Sequence, residues 1–132
     1  MIDEVEGFGH GDLMPVAFDF ADDQTVVSRD PKALLVGKTT VPEQEVDAYL
    51  NTSVRWNGKC MYDRIDHSAW REIPASYIYT TQNMTVYDYQ KSMVDLMRKA
   101  GKDINTFELE TGHCPNLSAT LEVVDAVEKI FT

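Results

Sequence analysis

The sequence predicts an α/β fold, in which a segment of short helices and loops over residues 1–70 precedes a β-α-β-α unit over residues 71–132. Two observations predict the second unit. Two runs of strand-forming residues alternate with two stretches whose apolar residues recur at helical spacing. Because strand–helix–strand crossovers are right-handed, the two strands are expected to be parallel. A chain of 132 residues can bury the core of one domain.

The first segment contains short elements. Residues 1–30 are rich in glycine and acids, so we expect irregular structure followed by at most a short hairpin. A short helix is predicted over Lys32–Val36, between an aspartate–proline start and a glycine stop. A second helix is predicted from the capping-box pair Thr40 and Glu43, and it ends near Asn51.

The second unit has clearer patterns. Tyr77–Thr81 is a run of β-formers that predicts a buried strand. Apolar residues then recur at helical spacing over residues 86–100, and Gly101 supplies a left-handed stop. Thr106–Glu110 alternates polar and apolar residues, as an edge strand does. An amphipathic helix is predicted to begin near Ser118 and to end the chain.

Composition excludes several classes of partner. The chain has 22 acidic against 12 basic residues and a formal charge of -10, which disfavours binding to nucleic acid or anionic membranes. Apolar runs are too short for a membrane span, and the acidic start Met1–Glu4 differs from a signal peptide, so we expect a cytoplasmic protein. Cys60 and Cys114 are then expected to be reduced, with a disulfide as the alternative.

Two loops are the best candidates for a site. Asn83 follows the first predicted strand and His113 follows the second, 30 positions later (113 minus 83). Ligands of open α/β sheets bind at the carboxyl ends of the strands, so these two side chains are predicted to face each other across a cleft. A histidine placed there can act as a general base. The alternative is a loop histidine without a role.

Several short motifs carry a family resemblance: Trp70–Pro74, Tyr77–Thr81, Met84–Val86, Gln90 and Gly112–Pro115. They resemble the C-terminal third of small α/β-hydrolases of the esterase and hydroxynitrile-lyase-like group. The resemblance covers residues 70–132, while residues 1–69 resemble loosely that group's lid, a helical insertion over the active site. It implies a partial α/β-hydrolase fold, with His113 at the position of the triad histidine and Asn83 where the family carries its acid.

Two departures from the family bear on catalysis. An amide at Asn83 offers the imidazole only a neutral acceptor, and an Asp-to-Asn change in such a triad lowers turnover by ~10⁴. Asp88 is the alternative acid, although its position in the first turn of a helix suits the helix dipole better. The sequence also has no Gly-x-Ser-x-Gly elbow, so the nucleophile and the oxyanion hole are expected to lie on a segment that is missing here.

Several other residues are candidates for ligand or metal binding. Trp56, Tyr62, Trp70 and Met84 are predicted to contact a ligand, because lid residues line the pocket of such proteins, with lid packing as the alternative. No metal site or cofactor is expected. The candidate metal ligands lack short paired spacing; they are His10, Asp12, Cys60 and His67.

The sequence therefore supports three hypotheses. The first is a polypeptide of ester or acyl hydrolase lineage that is inactive as a hydrolase alone. The second is a non-hydrolytic protein that binds a small molecule, or a cyclase-like proton-transfer auxiliary that uses His113. The third is a fragment of a longer reading frame. Since two strands leave an open sheet edge, self-association or a partner chain is expected.

Overall fold

The computed structural model describes residues 14–63, 65–83 and 87–132. Residues 1–13, the first part of the segment in which irregular structure is predicted, lie outside these ranges. The described elements are, in order, helix α1 (Met14–Ala17), strands β1 (Phe18–Phe20) and β2 (Thr25–Ser28), a π-helical turn (Lys32–Val36), helix α2 (Glu43–Leu50), strand β3 (Trp56–Asn57), 3₁₀ turns (Gly58–Met61 and Ala69–Arg71), strand β4 (Ser76–Thr80), helix α3 (Tyr87–Lys99), strand β5 (Asn105–Leu109), and helices α4 (Pro115–Ser118) and α5 (Thr120–Phe131).

Strands β1, β2 and β3 form an antiparallel sheet in that order. Phe18 pairs with Ser28, and Val26 pairs with Trp56. The β1–β2 hairpin matches the one expected from the sequence, but strand β3 was not expected, because two residues carry no readable periodicity. This antiparallel unit has its own apolar core, formed by Met14, Val26 and Met61 with Phe18 and Trp56 packed against it.

The two short helices of the first segment are present, although not as predicted in detail. Asp30 accepts a hydrogen bond from the amide of Ala33 at 3.0 Å, and Gly37 (φ 65°) ends the turn by donating to the carbonyl of Lys32 at 2.9 Å. The turn is a π-helix. The predicted capping box is wrong, because Glu43 is the first residue of α2 and its carboxylate lies 2.7 Å from Lys32 instead.

Strands β4 and β5 form a parallel pair that helix α3 connects, which confirms the predicted α/β class. The register runs from Ser76 opposite Asn105 to Thr80 opposite Leu109. Gly101 has the predicted left-handed φ of 82° at the end of α3. The last helix begins at Thr120 after the short helix α4. This parallel unit has a second core, formed by Tyr79, Val94 and Ile104.

The two units meet where the π-helical turn contacts the loop after β5. The amide of Cys114 donates to the carbonyl of Leu35 at 2.8 Å. Gly112 lies so close to the same turn that a Cβ atom on it would be 2.2 Å from the carbonyl oxygen of Val36. Only glycine allows this approach of two backbones. The division of the chain at residue 70 stays a prediction.

Candidate functional site

The candidate site lies at the carboxyl ends of the two parallel strands. Beyond Thr80 the ladder continues for one step, because the amide of Thr81 donates to the carbonyl of Leu109 at 3.0 Å. The amide of Gln82 then donates to the carbonyl of Thr111 at 3.1 Å. These bonds join the two loops that follow the strands, so their side chains are brought to one edge of the sheet.

Asn83 and His113 meet at this edge, as the sequence predicted. The side-chain nitrogen Nδ2 of Asn83 lies 2.9 Å from Nδ1 of His113 and 3.4 Å from Oγ1 of Thr80. The residue His113 is exposed, yet the protein atoms around its ring exclude enough water to lower its pKa below the usual 6.5. At neutral pH the ring is therefore uncharged, which a proton acceptor or a neutral hydrogen-bond donor requires.

Hydrogen bonds fix the loop that carries His113. The hydroxyls of Thr111 and Ser118 share a short hydrogen bond, and Ser118 also donates to the carbonyl of Cys114 at 3.0 Å. Thr111 and Gly112 are buried. The imidazole is thus attached to backbone that is held on both sides, which keeps its position defined.

Gln90 is a part of this edge whose role the sequence did not reveal. Its buried side chain accepts a hydrogen bond at Oε1 from the amide of Thr80 (3.0 Å) and donates from Nε2 to the carbonyl of Thr80 (3.1 Å). The amide group therefore takes the place of a neighbouring strand at the end of β4. A signal was available, since Gln90 falls among apolar residues on the helix, and a buried amide needs partners.

Asp88, the alternative acid, lies elsewhere. Its carboxylate forms an ion pair with Lys91 at 3.4 Å, and its side chain is 79% exposed. Both Asp88 and His113 belong to the described residues, and no hydrogen bond or ion pair joins them. The structure thus brings Asn83 to the histidine, and Asp88 occupies the first turn of α3 with an exposed partner.

Of the four residues predicted to contact a ligand, the structure describes Trp56, Tyr62 and Trp70, and no hydrogen bond, ion pair or ring contact found among the described residues joins them to His113. Trp56 packs edge-to-face on Phe18 with 6.3 Å between ring centroids, and Tyr62 is 58% exposed. Trp70 lines a cavity of about 220 Å³ at the opposite edge of the parallel sheet, among residues that precede β4 and β5. Met84 lies outside the described residues. Ligand contact by these residues stays a prediction.

The described ranges contain no cluster of three or more His, Cys, Asp or Glu side chains that could hold a metal ion. His10 and Asp12, two of the four candidate metal ligands, lie outside those ranges. Cys60 and Cys114 are free thiols, in agreement with the predicted reduced pair. In the same part of the chain, no helix combines the length and the apolar character needed to cross a bilayer.

Fold and site together define an α/β protein with a small parallel sheet and a histidine–asparagine pair at its carboxyl edge. No protein-family model matches the sequence, and no solved structure gives a significant match. A protein of Phoma sp. described as "Probable hydrolase R7" is 28% identical over 76 residues. The match covers 56% of this chain and 31% of that relative, so the chain spans about a third of the relative's length. The likeness indicates a distant, hydrolase-like relationship.

Proposed function

We propose that this chain is the histidine-bearing part of a hydrolase-related protein of the α/β-hydrolase type, whose substrate is an ester or a related acyl compound. The observation that carries the proposal is the contact of Asn83 with His113 at the carboxyl edge of parallel strands, the edge at which open α/β sheets bind ligands. The similarity to a probable hydrolase supports the lineage. The site adds a neutral imidazole held in a defined position.

The proposed chemistry needs a second component. In acyl transfer the imidazole removes a proton from a nucleophile, and backbone amides stabilise the oxyanion that forms. The 132 residues contain no Gly-x-Ser-x-Gly elbow, so the nucleophile is proposed to come from another segment or chain. Even then, Asn83 contributes no negative charge to the imidazolium that forms. We therefore expect no triad-type turnover by this chain alone.

We propose that the second component binds at the unpaired edge of β4. Among the described residues, β4 pairs with β5 alone, so the other side of β4 has no neighbouring strand. At its last residue, Thr80, the side chain of Gln90 occupies the backbone groups on that side, and the residues before Thr80 leave the edge open. A strand of a partner chain, or of a second copy, is proposed to pair along this edge. Sedimentation tests this point: association of the isolated chain is expected, and a stable monodisperse monomer would contradict it.

An ester assay combined with a binding titration tests the proposed function. Purified chain is assayed with 4-nitrophenyl acetate, and the ring signals of His113 are followed by NMR while the hydrolysis-resistant analogue 4-nitroacetanilide is added. The expected result is no saturable turnover, no labelling by serine reagents and a saturable shift of the His113 signals. His67→Gln is the matched control, because His67 is an exposed histidine paired with Glu72 at 3.5 Å.

Two outcomes would contradict the proposal. One is turnover that His113→Gln abolishes and that serine reagents leave unchanged, since that is catalysis without the missing nucleophile. The other is absence of any shift of the His113 signals, since the site then takes no acyl compound. If the analogue raises the melting temperature of wild type but not of His113→Gln, a small-molecule site at His113 is supported.

One observation favours the non-hydrolytic alternative, a small-molecule binding or proton-transfer protein. The nitrogen of the Asn83 side chain, and not its oxygen, faces Nδ1 of His113. A donor at Nδ1 places the ring proton on Nε2, and an imidazole with that proton donates to a ligand instead of accepting from a nucleophile. Ligand-dependent stabilisation that persists in the presence of serine reagents, without turnover, supports this alternative.

A further inference from the structure

We propose that Gln90, Thr80 and Asn83 form a hydrogen-bonded series that holds His113 with its ring proton on Nε2, so that the ring donates to a ligand oxygen. The inference rests on the proposed function only for the class of ligand, a carbonyl or carboxylate oxygen of an acyl compound. It develops the non-hydrolytic alternative, in which His113 donates to the ligand and does not take a proton from a nucleophile. The three residues are positioning residues, since His113 is the group that would contact the ligand.

The series starts at Gln90, whose amide orientation is unambiguous. A backbone N–H only donates and a backbone carbonyl only accepts. Because Gln90 bonds both groups of Thr80, its oxygen must face the amide at 3.0 Å and its nitrogen must face the carbonyl at 3.1 Å. The pair is buried, with Thr80 and Gln90 each 5% exposed. If the Gln90 amide were rotated by 180°, its NH₂ would face the amide of Thr80 and its oxygen would face the carbonyl of Thr80. Both hydrogen bonds would then be lost at a buried position, which is costly.

The second step is the hydroxyl of Thr80, which has one proton and two lone pairs. Oγ1 lies 3.3 Å from Nε2 of Gln90, 3.5 Å from Oε1 of Gln90 and 3.4 Å from Nδ2 of Asn83. Since the orientation of Gln90 is set, the hydroxyl can donate to Oε1 and accept from both nitrogens. In that arrangement every proton of the group has an acceptor, and Asn83 presents its NH₂ to Thr80.

The third step passes this orientation to the imidazole. The NH₂ of Asn83 has two protons, and its two neighbours are Oγ1 of Thr80 and Nδ1 of His113, the latter at 2.9 Å. Nδ1 then accepts and carries no proton, so the neutral ring is protonated on Nε2. A triad carboxylate does the reverse, because it accepts from a protonated Nδ1 and leaves Nε2 free as a base. Asn83 therefore changes the histidine from an acceptor into a donor.

The tautomer can be measured directly by long-range ¹H–¹⁵N correlation spectra of the imidazole, recorded on the full chain above pH 7. We expect the Nε2-protonated form in wild type and the Nδ1-protonated form in Asn83→Asp. Thr80→Val removes the hydroxyl that orients Asn83 and should give a mixture, whereas Thr80→Ser keeps the hydroxyl and should behave as wild type. Backbone amide spectra of each variant report whether it is folded.

Two results would overturn the inference: a wild-type ring protonated on Nδ1, or a ratio of tautomers that is the same in Thr80→Val and wild type. If Thr80→Val does not fold, the Asn83→Asp comparison decides, since Asn83 lies in a loop and is only partly buried. An unchanged tautomer in Asn83→Asp then also overturns it.

A titration with acetate supplies the carboxylate oxygen, and one with acetamide supplies the carbonyl oxygen. Wild type is expected to show saturable shifts of the His113 signals, and Asn83→Asp at least a tenfold weaker affinity for both. Equal affinity in the two proteins would show that the donor on Nε2 does not bind the oxygen. The tautomer is measured without ligand, so its outcome does not depend on the ester and anilide experiments that test the proposed function. Either proposal can therefore fail while the other stands.

Discussion

The antiparallel unit and the parallel unit are stabilised in different ways. The first buries Met14, Val26 and Met61, and its polar contacts lie at the surface, where Arg55 bonds the side chain and the carbonyl of Asp19 at 3.0 Å each. The second unit buries polar side chains as well. The buried polar residues of the described chain all lie at the carboxyl edge of its strands; they are Thr80, Gln90 and Thr111.

The buried polar side chains of the parallel unit are better explained by a need to orient neighbouring side chains than by a need for stability. Buried polar groups add stability only when each of them is hydrogen-bonded, so a chain selected only for stability has little reason to collect them at one edge. Their concentration beside Asn83 and His113 is what is expected where side chains must be held in fixed orientations. The first segment, by contrast, supports the site through the contact of its π-helical turn with Gly112 and Cys114.

The largest effect is expected for Met61→Ala, which tests whether the two units are separate. Met61 is 2% exposed in the first core, so its truncation should cost about 2–5 kcal/mol. Because the second core contains none of the same residues, hydrogen exchange should accelerate in β1 and β2 more than in β4 and β5. Equal acceleration in both sheets would show that they unfold as one unit.

A smaller effect is expected for Gly112→Ala, which disrupts the contact between the units. The new Cβ would meet the carbonyl of Val36 at 2.2 Å, and backbone atoms cannot move aside as a side chain can. We expect a loss of about 1–3 kcal/mol by denaturant unfolding and faster exchange of the Cys114 amide. Gly101→Ala is the matched control, because an added Cβ at Gly101 has no atom within 4 Å. Its left-handed φ should lower the free energy of unfolding by about 1–2 kcal/mol, and the exchange rate of the Cys114 amide should stay unchanged. Unchanged exchange at Cys114 in Gly112→Ala would contradict the prediction.

The smallest effect is a pH dependence specific to the site. Since the pKa of His113 is lowered by desolvation in the folded chain, the unfolded chain binds more protons as pH falls through about 6.5. Stability is therefore expected to decrease on acidification in this range, and to decrease less in His113→Gln. Lowered carboxyl pKa values at Asp23 and Glu43 act only at more acidic pH. Unfolding curves from pH 8 to pH 5 measure this, and identical slopes for both proteins would refute it.

Much of the second unit could be predicted because its signals are local. The strand-forming run, the periodic helix and Gly101 each depend on a few neighbouring residues, and the two strand ends then place Asn83 and His113 at one edge. Strand β3 could not be predicted, since Trp56 and Asn57 are a strand only because Thr25 and Val26 lie beside them. Trp70 was predicted as a ligand contact, but which edge of the sheet it would face depends on packing.

Local sequence patterns are enough to predict the strand–helix–strand–helix order of the parallel unit, the parallel pair and the two residues at its carboxyl edge, because hydrophobic period and right-handed crossover leave few alternatives. The surroundings of these two residues depend on tertiary contacts instead. Two examples are the hydrogen bonds from the side chain of Gln90 to the backbone of Thr80 and the close approach of Gly112 to Val36. Each joins residues that are distant in the chain or on different elements. Such contacts depend on distance and orientation in space, and these decide which atom of Asn83 faces His113.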